Sequence, residues 1–371
     1  MKLDIIAGAR PNFMKIAPII AAIEKVSDQI QYRLIHTGQH YDKKMSGSFF
    51  EQLGIPKPDV NLEVGSGTQA EQTARIMERY EALLLGRDSS ASVGTTFKGK
   101  SDWVLVVGDV TSTMACSIAA KKLGIGVIHV EGGIRSNDIT MPEEINRMVT
   151  DSITDIFYTT SEVANENLRN LGHEESKIRY VGNTMIDTLL KNMSRFQKPE
   201  AWDILKLKEK EFFVMTLHRP ANVDEEAQLK SLIDEIVRGA KGMPIVFPVH
   251  PRTAKILKGI GIKATNLHMI EPLGYLEFNY LVKNSFAVIT DSGGITEETT
   301  VMKVPCMTLR DNTERPETIT IGTNELVGTN PDNIAPFMEK LHAGKWKAGE
   351  IPHLWDGKTS ERIVEDLLRL Y

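Results

Sequence analysis

The chain has 371 residues, more than one hydrophobic core usually serves, so two domains of roughly 150–200 residues are expected. Hydrophobic residues make up 41% and charged residues 25%, with a formal net charge of −5, the balance of an ordinary globular protein. That charge argues against nucleic acid or an acidic membrane surface as the main partner, since both demand a strongly positive face, and leaves room for an anionic small ligand held by a few local donors.

Taken in chain order, short apolar runs alternate with longer amphipathic ones. Strands are predicted at 3–7, 32–37, 103–107, 127–131, 156–159 and 178–181, and helices at 12–26, 69–85, 112–123, 143–154, 162–171 and 185–191. Strands that are apolar almost throughout, alternating with helices, predict a parallel sheet covered on both faces. The rhythm restarts after a polar, Lys-rich seam at 192–210. It places strands at 212–217, 244–248, 267–270, 286–290 and 306–309, with helices at 225–240, 275–282, 294–302 and 334–341. The expectation is an α/β protein of two doubly wound Rossmann-like domains, 1–190 and 191–371, with a cleft between them. An amphipathic helix at 358–371 closes the chain and is expected to pack back on the first domain; 89–100 reads as a Ser/Gly/Thr-rich surface loop.

Cys116 and Cys306 lie far apart without C-x-x-C spacing, which predicts neither a disulfide framework nor a structural zinc site. No basic segment followed by an apolar run opens the chain. No stretch approaches the roughly 18–20 apolar residues that cross a bilayer, so a reduced cytoplasmic setting is expected.

In doubly wound sheets ligands bind beyond the carboxyl ends of the strands, and unusual polar residues gather there. Arg10 and Lys15 follow the first strand and open a helix, where anions also meet the helix N-terminus. Asp109 stands after Gly108, where a helix cap is the bland reading. Glu131 ends an apolar strand in His129-Val130-Glu131-Gly132-Gly133-Ile134-Arg135. A carboxylate buried there needs a partner or a task, and an ion pair with Arg135 is the bland explanation. Glu143 opens the next helix, where it can simply complement the macrodipole. Acids at successive strand ends on one sheet edge make a site. In the second half His218-Arg219 and His250-Pro251-Arg252 end strands, and Thr290-Asp291-Ser292-Gly293-Gly294 turns into a helix bearing Glu297 and Glu298. Bare amides at such a turn can cradle a diphosphate, and Glu298, one turn in, can face ribose hydroxyls. With no metal-ligand cluster and no G-x-G-x-x-G fingerprint, the pattern points to a nucleotide-sugar enzyme of GT-B type architecture.

The motifs RPNFMK, GDVTST, HVEGGIRS, MPEEINR, LHRPANVD, HPRT, TDSGGITEE and RDNTERPET, in this order over residues 1–328, resemble those of non-hydrolysing UDP-N-acetylglucosamine 2-epimerases. The resemblance implies loss of the carbon-2 proton, departure of UDP from carbon 1 to leave 2-acetamidoglucal, and re-addition to give UDP-N-acetylmannosamine. It implies no cofactor and no metal, a UDP-sugar as partner, and a homodimer. Its catalytic positions fall on Asp109, Glu131, Glu143 and His218. Its UDP-binding positions fall on Arg10, Lys15, Ser292, Gly293, Gly294 and Glu298, with Phe278 against the uracil. Arg135, His250 and Arg315 match further positions lining the cleft. The segment Gly38-Gln39-His40 continues as Tyr41-Asp42-Lys43-Lys44, unlike members in which UDP-N-acetylglucosamine is also an allosteric activator; Gln39 and His250 are the positions that would serve such a site. The Tyr41-Asp42 version also occurs in relatives acting on diacetamido uronic acid sugars. That substrate, a hydrolysing epimerase, a GT-B glycosyltransferase and a catalytically silent UDP-sugar binder stand as alternatives.

Overall fold

The computed structural model describes residues 1–38, 52–87, 97–249, 254, 257, 259, 261–262 and 264–370. The chain divides into two compact units, Met1–Lys191 with His353–Tyr371, and Asn192–Pro352.

In the first unit the described strands are β1 (Lys2–Ala7), β2 (Gln31–His36), β3 (Val60–Asn61), β4 (Trp103–Val107), β5 (Gly126–Val130), β6 (Ile156–Thr159) and β7 (Ile178–Tyr180). They form one parallel sheet in the order β3-β2-β1-β4-β5-β6-β7. Leu3, Ile5, Val104, Leu105, Val127 and Ile128 are fully buried, because helices cover both faces of a parallel sheet. Each such side chain contributes roughly 1.5–3 kcal/mol on burial. The pair Val60–Asn61 escapes prediction because two residues carry no periodicity.

The first helix, Arg10–Ile23, starts two residues earlier than its apolar period suggests and gives way to a 3-10 turn at Glu24–Val26. Pro11 lies within its first two positions, where no N–H is needed. Pro18 lies inside the helix and cannot donate to the Met14 carbonyl. The Thr188 hydroxyl donates to that carbonyl instead, at 2.6 Å, so a second helix, Thr184–Asn192, repairs the gap. The closing helix, Thr359–Arg369, packs on Arg10–Ile23. The Asp187 carboxylate accepts from the Thr359 and Ser360 amides at 3.1 and 2.7 Å, capping the closing helix from outside its own segment. Trp355, buried, donates its indole N–H to the Thr160 carbonyl at 3.0 Å.

In the second unit the described strands are β8 (Phe213–Thr216), β9 (Ile245–Pro248), β10 (Leu267–Ile270), β11 (Ala287–Thr290), β12 (Cys306–Thr308) and β13 (Asn324–Leu326). Their parallel order is β10-β9-β8-β11-β12-β13. Side chains along β8 alternate between two cores. Phe213 and Met215 join Leu229, Ile233 and Ile236, while Phe212 and Val214 join Leu281, Val282 and Cys306. The short helices Glu200–Ile204 in the seam and Pro316–Thr320, and the strand β13, were not expected; none is long enough to show a period.

Chain order reverses beside β1 in the first sheet, between β1 and β4, and beside β8 in the second, between β8 and β11. Crevices at such reversals, beyond the carboxyl ends of the strands, are where doubly wound sheets bind ligands. Among the described residues no helix is long and apolar enough to cross a membrane.

Candidate active site

At the reversal in the first unit, the turn after β1 is tied to the end of β4 by Asn12. Its side-chain oxygen accepts from the Gly8 and Ala9 amides at 3.2 and 3.0 Å, and its amide donates to the Val107 carbonyl at 2.9 Å. One turn further along the helix, Lys15 Nζ lies 2.6 Å from Glu131 Oε2. The ion pair with Arg135 that would have been the bland explanation of Glu131 is not formed. Lys15 takes Glu131, and Arg135 Nη1 lies 2.7 Å from Asp151 Oδ2. The reason is the sharp turn at Glu131-Gly132-Gly133, where φ is +68° at Glu131 and +80° at Gly133, so that four residues of separation do not bring the two side chains together. A left-handed non-glycine residue costs roughly 1–2 kcal/mol. Here it is held by the Glu131 amide donating to the Tyr158 carbonyl at 2.8 Å and by the Lys15 contact.

Gly133 is required by close approach, while Gly108 is favoured by its φ of +68°. A Cβ on Gly108 would lie 3.2 Å from Lys15 Nζ, and one on Gly133 would lie 2.4 Å from the Ala164 carbonyl oxygen. Gly133→Ala is expected to cost roughly 2–4 kcal/mol, combining backbone strain with overpacking, and urea denaturation measures it; a loss below about 1 kcal/mol would show that the turn yields.

Asp109, 30% exposed at its side chain, ends the turn after β4 and is ion-paired to Arg147 Nη2. Asn146 donates to the Asp109 carbonyl at 2.8 Å. Both partners project from the helix Pro142–Ile153, whose first-turn acids divide the work. Glu144 is buried and accepts from Arg147 at 2.7 Å, the Ser136 amide and hydroxyl at 2.9 and 3.0 Å, and the Asn137 amide at 3.2 Å. Burial opposes its charge, but the bonds from Ser136 and Arg147 outweigh this and hold the carboxyl below its ordinary range. Glu143, the acid singled out from sequence, is half-buried and makes no hydrogen bond or ion pair among the described residues. Beneath the edge, His129 is fully buried, with Nδ1 2.7 Å from Asp151 and Nε2 2.8 Å from the Gly108 carbonyl.

In the second unit β8 and β11 end side by side. The Thr216 and Thr290 hydroxyls are 2.6 Å apart, and Thr290 Oγ1 accepts from the Ser292 amide at 3.0 Å. Ser292 is the N-cap of the helix Gly293–Met302, so Ser292, Gly293 and Gly294 lie at an open helix N-terminus. A Cβ on Gly293 would lie 3.8 Å from Arg310 Nη1. Arg310 is buried in a two-point pair with Glu314, at 2.7 and 2.8 Å. Glu298 is buried and pushed up to about 7 by burial, with the Tyr275 hydroxyl and Asn279 amide working the other way. Its neighbour Glu297 is ion-paired to Arg315, which the sequence placed among the cleft-lining residues. Phe278, half-buried, packs against the core around Leu281 and Val282.

His218 follows β8 with its side chain 62% exposed, and its Nδ1 lies 2.7 Å from the fully buried carboxylate of Asp291. Asp291 had no role in the sequence reading, although its place at a strand end before the paired glycines was a signal. Asn12, Asn146 and Arg147 carry no such signal, because a helical side chain's target on another strand is not visible in local spacing. Gln39, His250 and the side chain of Arg10 lie outside the described residues.

Two parallel doubly wound sheets, one edged with acids and the other with a glycine turn into a helix, define an α/β protein of the GT-B type. A family model described as UDP-N-acetylglucosamine 2-epimerase matches residues 22–368, and the chain belongs to that family. It is 42% identical over 379 residues to UDP-N-acetylglucosamine 2-epimerase of Methanocaldococcus jannaschii, with 99% of each chain covered. It is 38% identical over 373 residues to UDP-2,3-diacetamido-2,3-dideoxy-D-glucuronate 2-epimerase of Pseudomonas aeruginosa, with 100% of each covered. The crystal structure of the M. jannaschii enzyme in complex with UDP-GlcNAc and UDP is similar at a TM-score of 0.86 and 41% identity, covering 100% of both chains. The protein is thus an enzyme of the isomerase class, and its reaction is an epimerisation.

Proposed function

We propose that the protein interconverts UDP-N-acetylglucosamine and UDP-N-acetylmannosamine by anti elimination and re-addition of UDP through 2-acetamidoglucal. A base takes the proton from carbon 2, the carbon 1–oxygen bond breaks with its electron pair on the departing phosphate oxygen, and a proton delivered to the other face of carbon 2 accompanies the return of UDP. The observation that supports this most is the acid edge of the first sheet. Glu131 is held by Lys15 at 2.6 Å, and Asp109 is held by Arg147, both beside the chain reversal. A carboxylate can accept a proton, and two of them held at one sheet edge can serve the two faces of one carbon. Glu143 joins them as a third acid. His218 completes the catalytic set, Ser292, Gly293 and Gly294 bind the diphosphate, Arg10 and Arg315 add charge, Glu298 takes the ribose hydroxyls and Phe278 lies by the uracil. The enzyme works as a cytoplasmic homodimer without a cofactor, as the family resemblance implies.

A second substrate has its own support. The P. aeruginosa relative matches from end to end, and the family resemblance links Tyr41-Asp42 to relatives that act on UDP-diacetamido uronic acids. Incubation with UDP-N-acetylglucosamine in heavy water, followed by proton NMR, is expected to yield UDP-N-acetylmannosamine with deuterium at carbon 2. Free N-acetylmannosamine with UDP would make the enzyme a hydrolysing epimerase. No reaction with this sugar, and turnover of the UDP-diacetamido uronic acid, would transfer the proposal to the second substrate.

A further inference from the structure

We propose that Asp291 is a positioning residue for His218, fixing the neutral imidazole with its hydrogen on Nδ1 and its lone pair on Nε2, the nitrogen that meets the substrate. The proposal rests on the epimerase reading above. The reasoning begins with the carboxylate. Asp291 directly follows β11, is fully buried, and is surrounded by donors. The His218 amide reaches it at 3.0 Å, the Arg219 amide at 2.9 Å, the Asn222 side-chain amide at 3.1 Å and His218 Nδ1 at 2.7 Å. Burial works against its charge, but His218 and the other donors outweigh burial and hold the carboxyl below its ordinary range. An ionised carboxylate only accepts, so Nδ1 must donate.

The contrast with His129 shows why this pair is more than a support. His129 is wholly buried, and both its ring nitrogens are occupied, by Asp151 and by the Gly108 carbonyl. The His218 ring has one nitrogen on a carboxylate that solvent cannot reach, while the ring itself is 62% exposed at the carboxyl edge of the sheet. A buried orienting acid beneath an exposed imidazole leaves Nε2 free to exchange a proton. In the elimination, Nε2 of the exposed ring first takes a proton from water, then gives that hydrogen to the departing phosphate oxygen and keeps the N–H electron pair, which returns the ring to its neutral Nδ1–H form. On re-addition the same nitrogen takes the hydrogen back.

Asp291→Asn reverses this arrangement. The amide oxygen is drawn to the side where the Arg219 and Asn222 donors converge, so the NH2 faces Nδ1, which must now accept. The neutral ring then carries its hydrogen on Nε2 and has no lone pair there to take a proton back. Long-range proton–nitrogen NMR of protein labelled at histidine nitrogen, with the His218 signals assigned by their loss in His218→Gln, reads the tautomer directly. The expected result is Nδ1–H in the wild type and Nε2–H in Asp291→Asn, with kcat lowered at least about tenfold and KM changed by less than about threefold. An Nε2–H tautomer in the wild type overturns the proposal whatever the activity, and does not depend on Asp291→Asn folding. A tautomer change with unaltered kcat overturns it too, as does a lower kcat without a tautomer change. If the wild type turns over neither UDP-sugar, the epimerase reading fails, and the tautomer separately decides whether the pair is built as described.

Discussion

Glu131→Gln is expected to lower turnover by at least about 100-fold while the fold survives. The substitution keeps the volume of a residue that is 3% exposed and removes its charge and its capacity to take a proton. The loss follows from chemistry, since an amide cannot act as a base. A second effect follows from the 2.6 Å contact with Lys15, whose ammonium is left against a neutral amide at a largely buried position. Stripping one partner from a fully buried pair costs roughly 3–5 kcal/mol. The part of Lys15 that still reaches solvent reduces this, so a loss of about 1–3 kcal/mol in urea is expected. The double variant Lys15→Met with Glu131→Gln should recover stability without recovering turnover. Wild-type deuterium incorporation at carbon 2 by Glu131→Gln would remove Glu131 from the acid–base set. Recovery of turnover in the double variant would show that Lys15, rather than Glu131, limits the reaction.

Glu298→Gln is expected to weaken UDP binding at least about tenfold at pH 8 and at the same time to stabilise the free protein. The folded carboxyl is pushed up to about 7 by burial, from an ordinary value of 4.5. Between these values the folded protein holds a proton that the unfolded chain releases, so stability falls as pH rises through this window. Above pH 7 the full penalty of the buried charge applies, at most about 3 kcal/mol, and an uncharged glutamine escapes it. Ribose hydroxyls donate best to the ionised form, so UDP binding to the wild type below pH 7 should release protons and weaken as pH falls. Calorimetry in buffers of different ionisation enthalpy measures that release, which the glutamine variant should lack. Unchanged UDP affinity in Glu298→Gln would take this residue out of the nucleotide site.

Much of the architecture is legible in the sequence. Apolar runs such as Trp103–Val107 and Ile156–Thr159 are strands at the predicted residues, since a strand buried on both faces writes its whole length in apolar letters. The helices predicted at 69–85 and 162–171 are Gln69–Leu84 and Glu162–Asn170, each one residue shorter, because an amphipathic period is a local property of the chain. Elements of two or three residues, such as Val60–Asn61 and Asn324–Leu326, have no period and are recruited by pairing with a neighbouring strand.

The candidate site divides along the same line. Strand-end position marked Asp109, Glu131 and His218 as residues with a task, because a polar group leaving an apolar strand stands out in the sequence itself. Partnership could not be read in that way. Glu131 meets Lys15 from 116 positions away, Asp109 meets Arg147 from 38, and His218 meets Asp291 from 73. Adjacent acids diverge for the same reason. A single step along a helix turns a side chain by about 100°, so Glu144 enters the network of Arg147 and Ser136 while Glu143 stays outside it. By itself the sequence determined which residues leave the strands and enter the helices, since those are written in local pattern. Only the tertiary structure decided which cation sits on which acid, because the order in which strands lie side by side sets those distances.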